Sequence, residues 1–135
     1  MSAKPLYGAN TSATITLDSL ADGGDASSTE VDNSTTLALG LDVEVNLKGS
    51  NAGETGRVSI YLKRGNETGV LETDENATMI GSVALNGTTA VRKDIRVDDI
   101  PKFYMIYVKH ASSSTYALNS TGNTIKYQPF NIQDV

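Results

Sequence analysis

The stretch from Thr35 to Lys48, TTLALGLDVEVNLK, constrains the fold more than any other part of the chain. Apolar side chains fill every odd position, Leu37, Leu39, Leu41, Val43, Val45 and Leu47. The even positions carry Ala38, Gly40, Asp42, Glu44, Asn46 and Lys48. Successive side chains of a strand point to opposite faces, so this alternation makes one oily face and one wet face and fits no helical stripe. At about 3.3 Å per residue, one strand of this length would run roughly 45 Å, well beyond the usual ~5–6 residues. Gly40 is therefore expected to mark a bend or bulge that divides it. The wet face, with Asp42, Glu44 and Lys48, reads as solvent or a subunit contact. The rest of the chain has to cover the oily one.

The 135 residues fit one domain that can bury a core without staples, and the absence of cysteine excludes a disulfide framework. A net charge of −5 and a pI near 4.7 set the surface against phosphate backbones and anionic lipid, so neither nucleic acid nor membrane is an expected partner. No apolar run approaches the ~20 residues of a membrane span. The opening MSAKPLYGAN has no apolar leader segment, which gives the expectation of synthesis in a cytoplasm. The chain is rich in Ser and Thr, with 12 Gly and no Trp. Thr, Val, Ile and Tyr suit pleated surfaces, while Gly, Asn and Ser supply turns, so the composition is all-β.

Along the chain, residues 1–12 read as an N-terminal arm ahead of a β-sandwich domain at 13–135. Pro5, Leu6 and Tyr7 form an apolar triplet that either docks on a neighbour or caps the domain's own core. ATITLDSL at 13–20 reads as a first strand and 21–28 as a loop. Residues 31–34 are a turn into the long strand, and 49–56 form a second loop. Arg57 to Lys63 is a strand with Val58, Ile60 and Leu62 inward. An exposed loop at 64–76 leads to a strand at 78–85 with Met79, Gly81, Val83 and Leu85 on one parity. Asn86-Gly87 follows, then an apolar pattern at 88–97, and strand, Asn-Gly, strand is the strongest short-range hairpin signal. Lys93 breaks the inward parity, which points to a bulge or a sheet edge. KFYMIYVKH at 102–110 is apolar on both parities, so this strand is either central in the sandwich or covered by another chain. After a loop at 111–115 and a turn at 119–123, a last strand covers 124–130. About seven or eight antiparallel strands with Gly/Asn turns and no helix predict a single-domain β-sandwich, jelly-roll or Ig-like.

The search for chemistry excludes most classes. There is no thiol nucleophile. The one histidine, His110, ends the most apolar strand without a G-x-S-x-G partner and reads as a strand-end residue with a half-exposed ring. One His and no Cys cannot make a zinc site. The acid pairs Asp74-Glu75 and Asp98-Asp99, Glu67 with Glu72, and Asp22-Gly-Gly-Asp25 fall short of a calcium loop and read as solvated charge. Paired acids could cleave glycosides, but the lack of Trp leaves little aromatic surface to hold a sugar. N-x-[ST] occurs at Asn10, Asn33, Asn66, Asn76, Asn86 and Asn119, a by-product of Asn turns leading into Thr-rich strands. No catalytic residue, metal ligand or cofactor is expected.

Three blocks carry a family resemblance. They are KPLYGA at 4–9 with ITLDSLA at 15–21; VDNSTTL at 31–37; and PKFYMIYV at 101–108 followed by YALNSTGNTIKY at 116–127. Together they resemble a family of small tailed-bacteriophage virion proteins over rather less than half of the chain. Residues 49–97 depart from that family, with shorter and more acidic loops. The resemblance implies a non-enzymatic virion structural protein, first of all a capsid decoration (cement) protein. Its implied partners are the major capsid protein and further copies of itself, as a homotrimer on the capsid surface. Pro5, Leu6 and Tyr7 would then contact a neighbour, and Phe103, Tyr104 and Tyr107 would supply an oligomer interface. Two other readings stay open. One is a neck, collar or tail accessory protein. The other is a receptor- or glycan-binding sandwich presenting the loops 21–28, 49–56 and 64–77.

Overall fold

The computed structural model describes residues 3–110 and 116–134. Its strands are β1 Ala3–Tyr7, β2 Thr11–Ser12, β3 Asp25–Ser27, β4 Val31–Asp32, β5 Gly40–Leu47, β6 Arg57–Gly65, β7 Thr78–Ala84, β8 Val91–Val97, β9 Phe103–His110 and β10 Thr124–Asp134. The one helical segment among the described residues is a 3-10 turn at Asp74–Asn76. Two antiparallel sheets result. Sheet A runs β1-β10-β5-β8 with β2 also on β10, and sheet B runs β3-β9-β6-β7 with β4 also on β9. From β4 onward every connection but β6–β7 crosses between the sheets, which is the strand exchange of a jelly roll. The expected all-β sandwich therefore forms, and of the two topologies considered it is the jelly roll.

The core lies between the sheets and follows the alternation of the central strands. Leu41, Val43, Val45 and Leu47 of β5 meet Val58, Ile60 and Leu62 of β6 and Tyr104, Ile106 and Val108 of β9, all buried. The long alternating stretch is only half strand. Leu37 and Leu39 keep the odd parity but are 59% and 51% exposed, because β5 begins only at Gly40. Before it, Asn33 holds a turn: its Nδ2 donates to Ala38 O (3.0 Å) and Pro101 O (3.1 Å), and its Oδ1 accepts from Ala38 N (2.9 Å). The expected bend falls at Leu39, immediately before Gly40, and no bulge forms. Gly40 is where β5 starts, opposite Phe130.

Several expected elements take other forms. The strand expected at 13–20 is irregular, although Leu17 is buried in the core. The loop expected at 21–28 contains β3, paired with β9. The Asn86-Gly87 turn forms, with an Asn86–Thr89 bridge and Gly87 at φ 56°, but it does not join a hairpin. It carries the chain from β7 in sheet B to β8 in sheet A. Turn chemistry is local, whereas strand pairing is decided by which sheet offers a partner. A register shift between Ile60 and Tyr61 places Met79 opposite Tyr61 on the outer face, so Met79 is 53% exposed despite its parity. Lys93 lies on β8, the edge strand of sheet A, as one of its two expected explanations requires. His110 is wholly buried rather than half exposed. The 20–24 segment folds over it, with Gly23 N donating to His110 O and His110 N to Gly24 O. The loop expected at 111–115 lies outside the described residues.

The sequence suggests an arm at residues 1–12 ahead of the sandwich. Instead, β1 pairs with β10 from Ala3↔Asp134 to Tyr7↔Phe130, and β2 follows on the same strand. Residues 3–7 are thus the edge strand of sheet A opposite β8.

Candidate functional site

The wet face of β5 is not featureless. Register places residues in rows across sheet A. Gln128, Asp42 and Arg96 form one row, and Lys126, Glu44 and Asp94 the next. Beyond the first lies the row Tyr7, Phe130, Gly40. Strand alternation turns all of these side chains outward, away from the core. Asp42, Glu44, Asp94, Arg96 and Gln128, with Asn10 and Arg92, line a groove of about 310 Å³.

Ion pairs fix the groove's geometry. Arg96 Nε lies 3.0 Å from Asp42 Oδ1, and Arg92 bridges Glu44 (3.3 Å) and Asp94 (3.4 Å). Arg96 is held on two further sides: its guanidinium lies 4.2 Å from the Phe130 ring centroid, and its Nη2 donates to the Tyr7 hydroxyl at 3.2 Å. Desolvation alone would lower the Arg96 pKa, but the hydrogen bond and charge of Asp42, with Tyr7, raise it above its ordinary value. At one end, Gly8 N donates to Pro129 O, but Pro129 has no N–H to return the bond. The side-chain Nε2 of Gln128 donates to Gly8 O instead, at 2.9 Å.

Phe130 is buried on this outer face because Gly40 leaves room for it. A Cβ on Gly40 would come within 2.2 Å of the ring. Tyr7 leans on Phe130 with centroids 6.2 Å apart and remains 47% exposed. The groove therefore has a polar floor of paired acids, guanidinium groups and amides, and one aromatic side chain at its edge. Such a floor can exchange hydrogen bonds with a polyhydroxylated ligand.

Sheet B offers a second concavity, about 410 Å³, lined by Asp25, Tyr61, Asp74, Glu75, Tyr107 and Lys109. Its aromatic surface is filled from within. Lys63 Nζ lies 4.5 Å from the Tyr107 ring centroid and pairs with Asp74. The Tyr107 hydroxyl donates to Asp25 Oδ2 at 2.8 Å. The acid pairs weighed as calcium ligands are spoken for or dispersed. Glu72 accepts from Arg64 N, Asp99 pairs with Arg64, and no group of three His, Asp or Glu side chains placed to hold a metal ion occurs among the described residues.

The residues expected to contact partners divide into two groups. Pro5, Leu6 and Tyr7 are exposed on β1, and only Tyr7 adjoins the groove. Phe103, Tyr104 and Tyr107 are buried within the single chain. Tyr104 meets Tyr127 edge to face at 6.4 Å, and Tyr107 meets Tyr61 at 5.6 Å. The apolar excess of β9 is thus absorbed by its central place in sheet B and requires no second chain. Sequence reasoning named Asp42 and Glu44 only as a wet face. It missed Arg92, Asp94, Arg96 and Gln128, because which strands flank β5 is set by long-range pairing. The alternation of charge in Arg92, Asp94 and Arg96 was the one signal available.

No protein-family model and no curated protein sequence matches the chain. Among solved structures it is similar to the CBM36-1 domain of a multidomain xylanase from the hindgut metagenome of Trinervitermes trinervoides. The two are 9% identical over 99% of this chain and 100% of that one, with a TM-score of 0.51. It is also similar to the K3 cleaved adhesin domain of Lys-gingipain from Porphyromonas gingivalis w83. There the identity is 11% over 77% of this chain and 60% of that one, with a TM-score of 0.50. At these identities the likeness is one of fold: an antiparallel β-sandwich shared with a carbohydrate-binding module and an adhesin domain.

Proposed function

We propose that the protein is a non-enzymatic glycan-binding β-sandwich module whose ligand lies on the outer face of sheet A. One observation carries this reading: Gln128, Asp42 and Arg96 stand in a single row across three strands, beside Glu44, Arg92 and Asp94, along an open groove. Rigid strands hold these donors and acceptors in fixed register, which keeps the ordering cost of binding low. Fold alone would not assign the function, which rests on the site. The site differs from the loops 21–28, 49–56 and 64–77 on which sequence reasoning had placed glycan contact. Binding of the purified chain to a glycan array, repeated with Asp42→Ala and Asp94→Ala, tests the reading. Binding that both substitutions weaken while the melting temperature holds is expected. An array with no bound glycan would refute it.

A second reading follows the family resemblance: a capsid decoration protein docked on a major capsid protein as a homotrimer at the virion surface. The observation in its favour is the ribbon formed by β1 and the end of β10. Residues 131–134 pair only with β1, and the ribbon exposes Leu6 and Ile132 on opposite faces. A two-stranded ribbon is marginal in water by itself, and a neighbour would cover it. Co-sedimentation with capsids, with and without residues 2–9, checks it: undiminished occupancy after the deletion contradicts a docking role for the ribbon. The two readings are compatible in a module displayed on a particle.

A further inference from the structure

We infer that the groove takes an uncharged pyranose chain and that Tyr7, on the N-terminal strand, supplies the face on which one sugar ring stacks. The inference rests on the glycan reading and specifies the ligand class and the residue that selects it.

The charge pattern sets the class. Each arginine lining the groove already faces an acid: Arg96 faces Asp42, and Arg92 faces both Glu44 and Asp94. With Lys126, opposite Glu44 on the same face, the acids and cations are equal in number. A uronate or sulfate seeking a guanidinium in the groove would have to break one of these pairs. A neutral hydroxyl donates and accepts at once, so it can bridge the carboxylate of one pair and the guanidinium of the next without displacing either. The spare oxygen of Asp42 and the amide of Gln128 lie in the same row as Arg96, which suits the closely spaced hydroxyls of one sugar ring.

The aromatic contact is set by elimination within the molecule. Tyr7 is the one exposed aromatic side chain among the described residues. Phe130, its neighbour on the same face, is covered by the Arg96 guanidinium at 4.2 Å. Tyr7 meets both demands of a sugar, an apolar ring for the C–H face and a polar tip for the hydroxyl rim. Its hydroxyl is tied to Arg96 and its ring leans on Phe130, so its position is fixed before ligand arrives. Because Tyr7 belongs to β1, the N-terminal strand becomes one wall of the site rather than an appendage.

Isothermal titration calorimetry of the full chain decides it, with xylohexaose and cellohexaose as neutral probes and hexagalacturonate as the anionic one. A neutral hexasaccharide is expected to bind at least about tenfold more tightly than hexagalacturonate. Tyr7→Ala should weaken that binding by about tenfold, while Tyr7→Phe, which keeps the ring, should stay within about threefold and Tyr7→Trp should equal or exceed the parent. Circular dichroism melting of each variant separates lost binding from lost fold, and the Phe and Trp variants keep the test open should the alanine variant unfold. Hexagalacturonate binding as well as or better than both neutral probes overturns the inferred class. Unchanged affinity in folded Tyr7→Ala overturns the role of Tyr7. Both results leave the glycan reading standing. Binding to none of the three, together with an empty glycan array, refutes the glycan reading itself and the inference with it.

Discussion

Gly40 and Phe130 face each other across β5 and β10, and a Cβ on Gly40 would lie 2.2 Å from Phe130 Cζ. The ring lies where a side chain at position 40 would be, and it supports Arg96 above it. Gly40→Ala must push the ring away or shift the strand, and overpacking of this kind costs about 1–3 kcal/mol. Urea denaturation of the variant should show that loss, and glycan affinity should fall with the displaced arginine. A wild-type midpoint would mean that the ring is not held against the glycine.

The boundary of β5 makes a paired prediction. Leu41 and Leu39 share one sequence parity, yet Leu41 is fully buried and Leu39 is 51% exposed. Leu41→Ala should cost about 2–5 kcal/mol, as deletions from a packed core do. Leu39→Ala should stay within about 0.5 kcal/mol, as for a surface site. Equal losses in chemical denaturation would place Leu39 in the core and contradict the strand start at Gly40.

Alkaline pH should destabilise the protein through its buried tyrosines. Burial raises the pKa of Tyr104, with the neighbouring Tyr127 adding to it. Burial also raises that of Tyr107, reinforced by its bond to Asp25. The folded chain therefore holds these protons more tightly than the unfolded chain, whose tyrosines titrate near ~10. The stability they contribute is complete below about pH 10 and falls as the pH rises beyond it. Denaturation midpoints measured from about pH 8 to 11 should show this decline, and Tyr107→Phe should flatten it, at the cost of the Asp25 bond at neutral pH. An unchanged alkaline slope in the variant would contradict the assignment.

The sandwich was legible in the sequence where one face of a strand is covered and the other is not. Leu41 to Leu47 and Val58 to Leu62 alternate because burial alternates. Other features were hidden for physical reasons. Leu37 and Leu39 continue the alternation beyond the strand, since a turn clamped by Asn33 obeys no pleat. The Asn86-Gly87 turn signalled a reversal but not the change of sheet, because local φ preference carries no information about the distant partner. Met79 was misplaced by a register shift that parity cannot foresee. The candidate site was the least legible. Asp42, Arg96 and Gln128 are far apart in sequence and meet only through the jelly-roll pairing of β5 with β8 and β10.

Whether ligand lies on the outer face of sheet A can be read by amide chemical-shift mapping by NMR during titration with xylohexaose. Shifts should concentrate at Asp42, Glu44, Asp94, Arg96 and Gln128, with Tyr7 at their edge. Shifts confined to 21–28, 49–56 or 64–77, or none at saturating sugar, would contradict that placement.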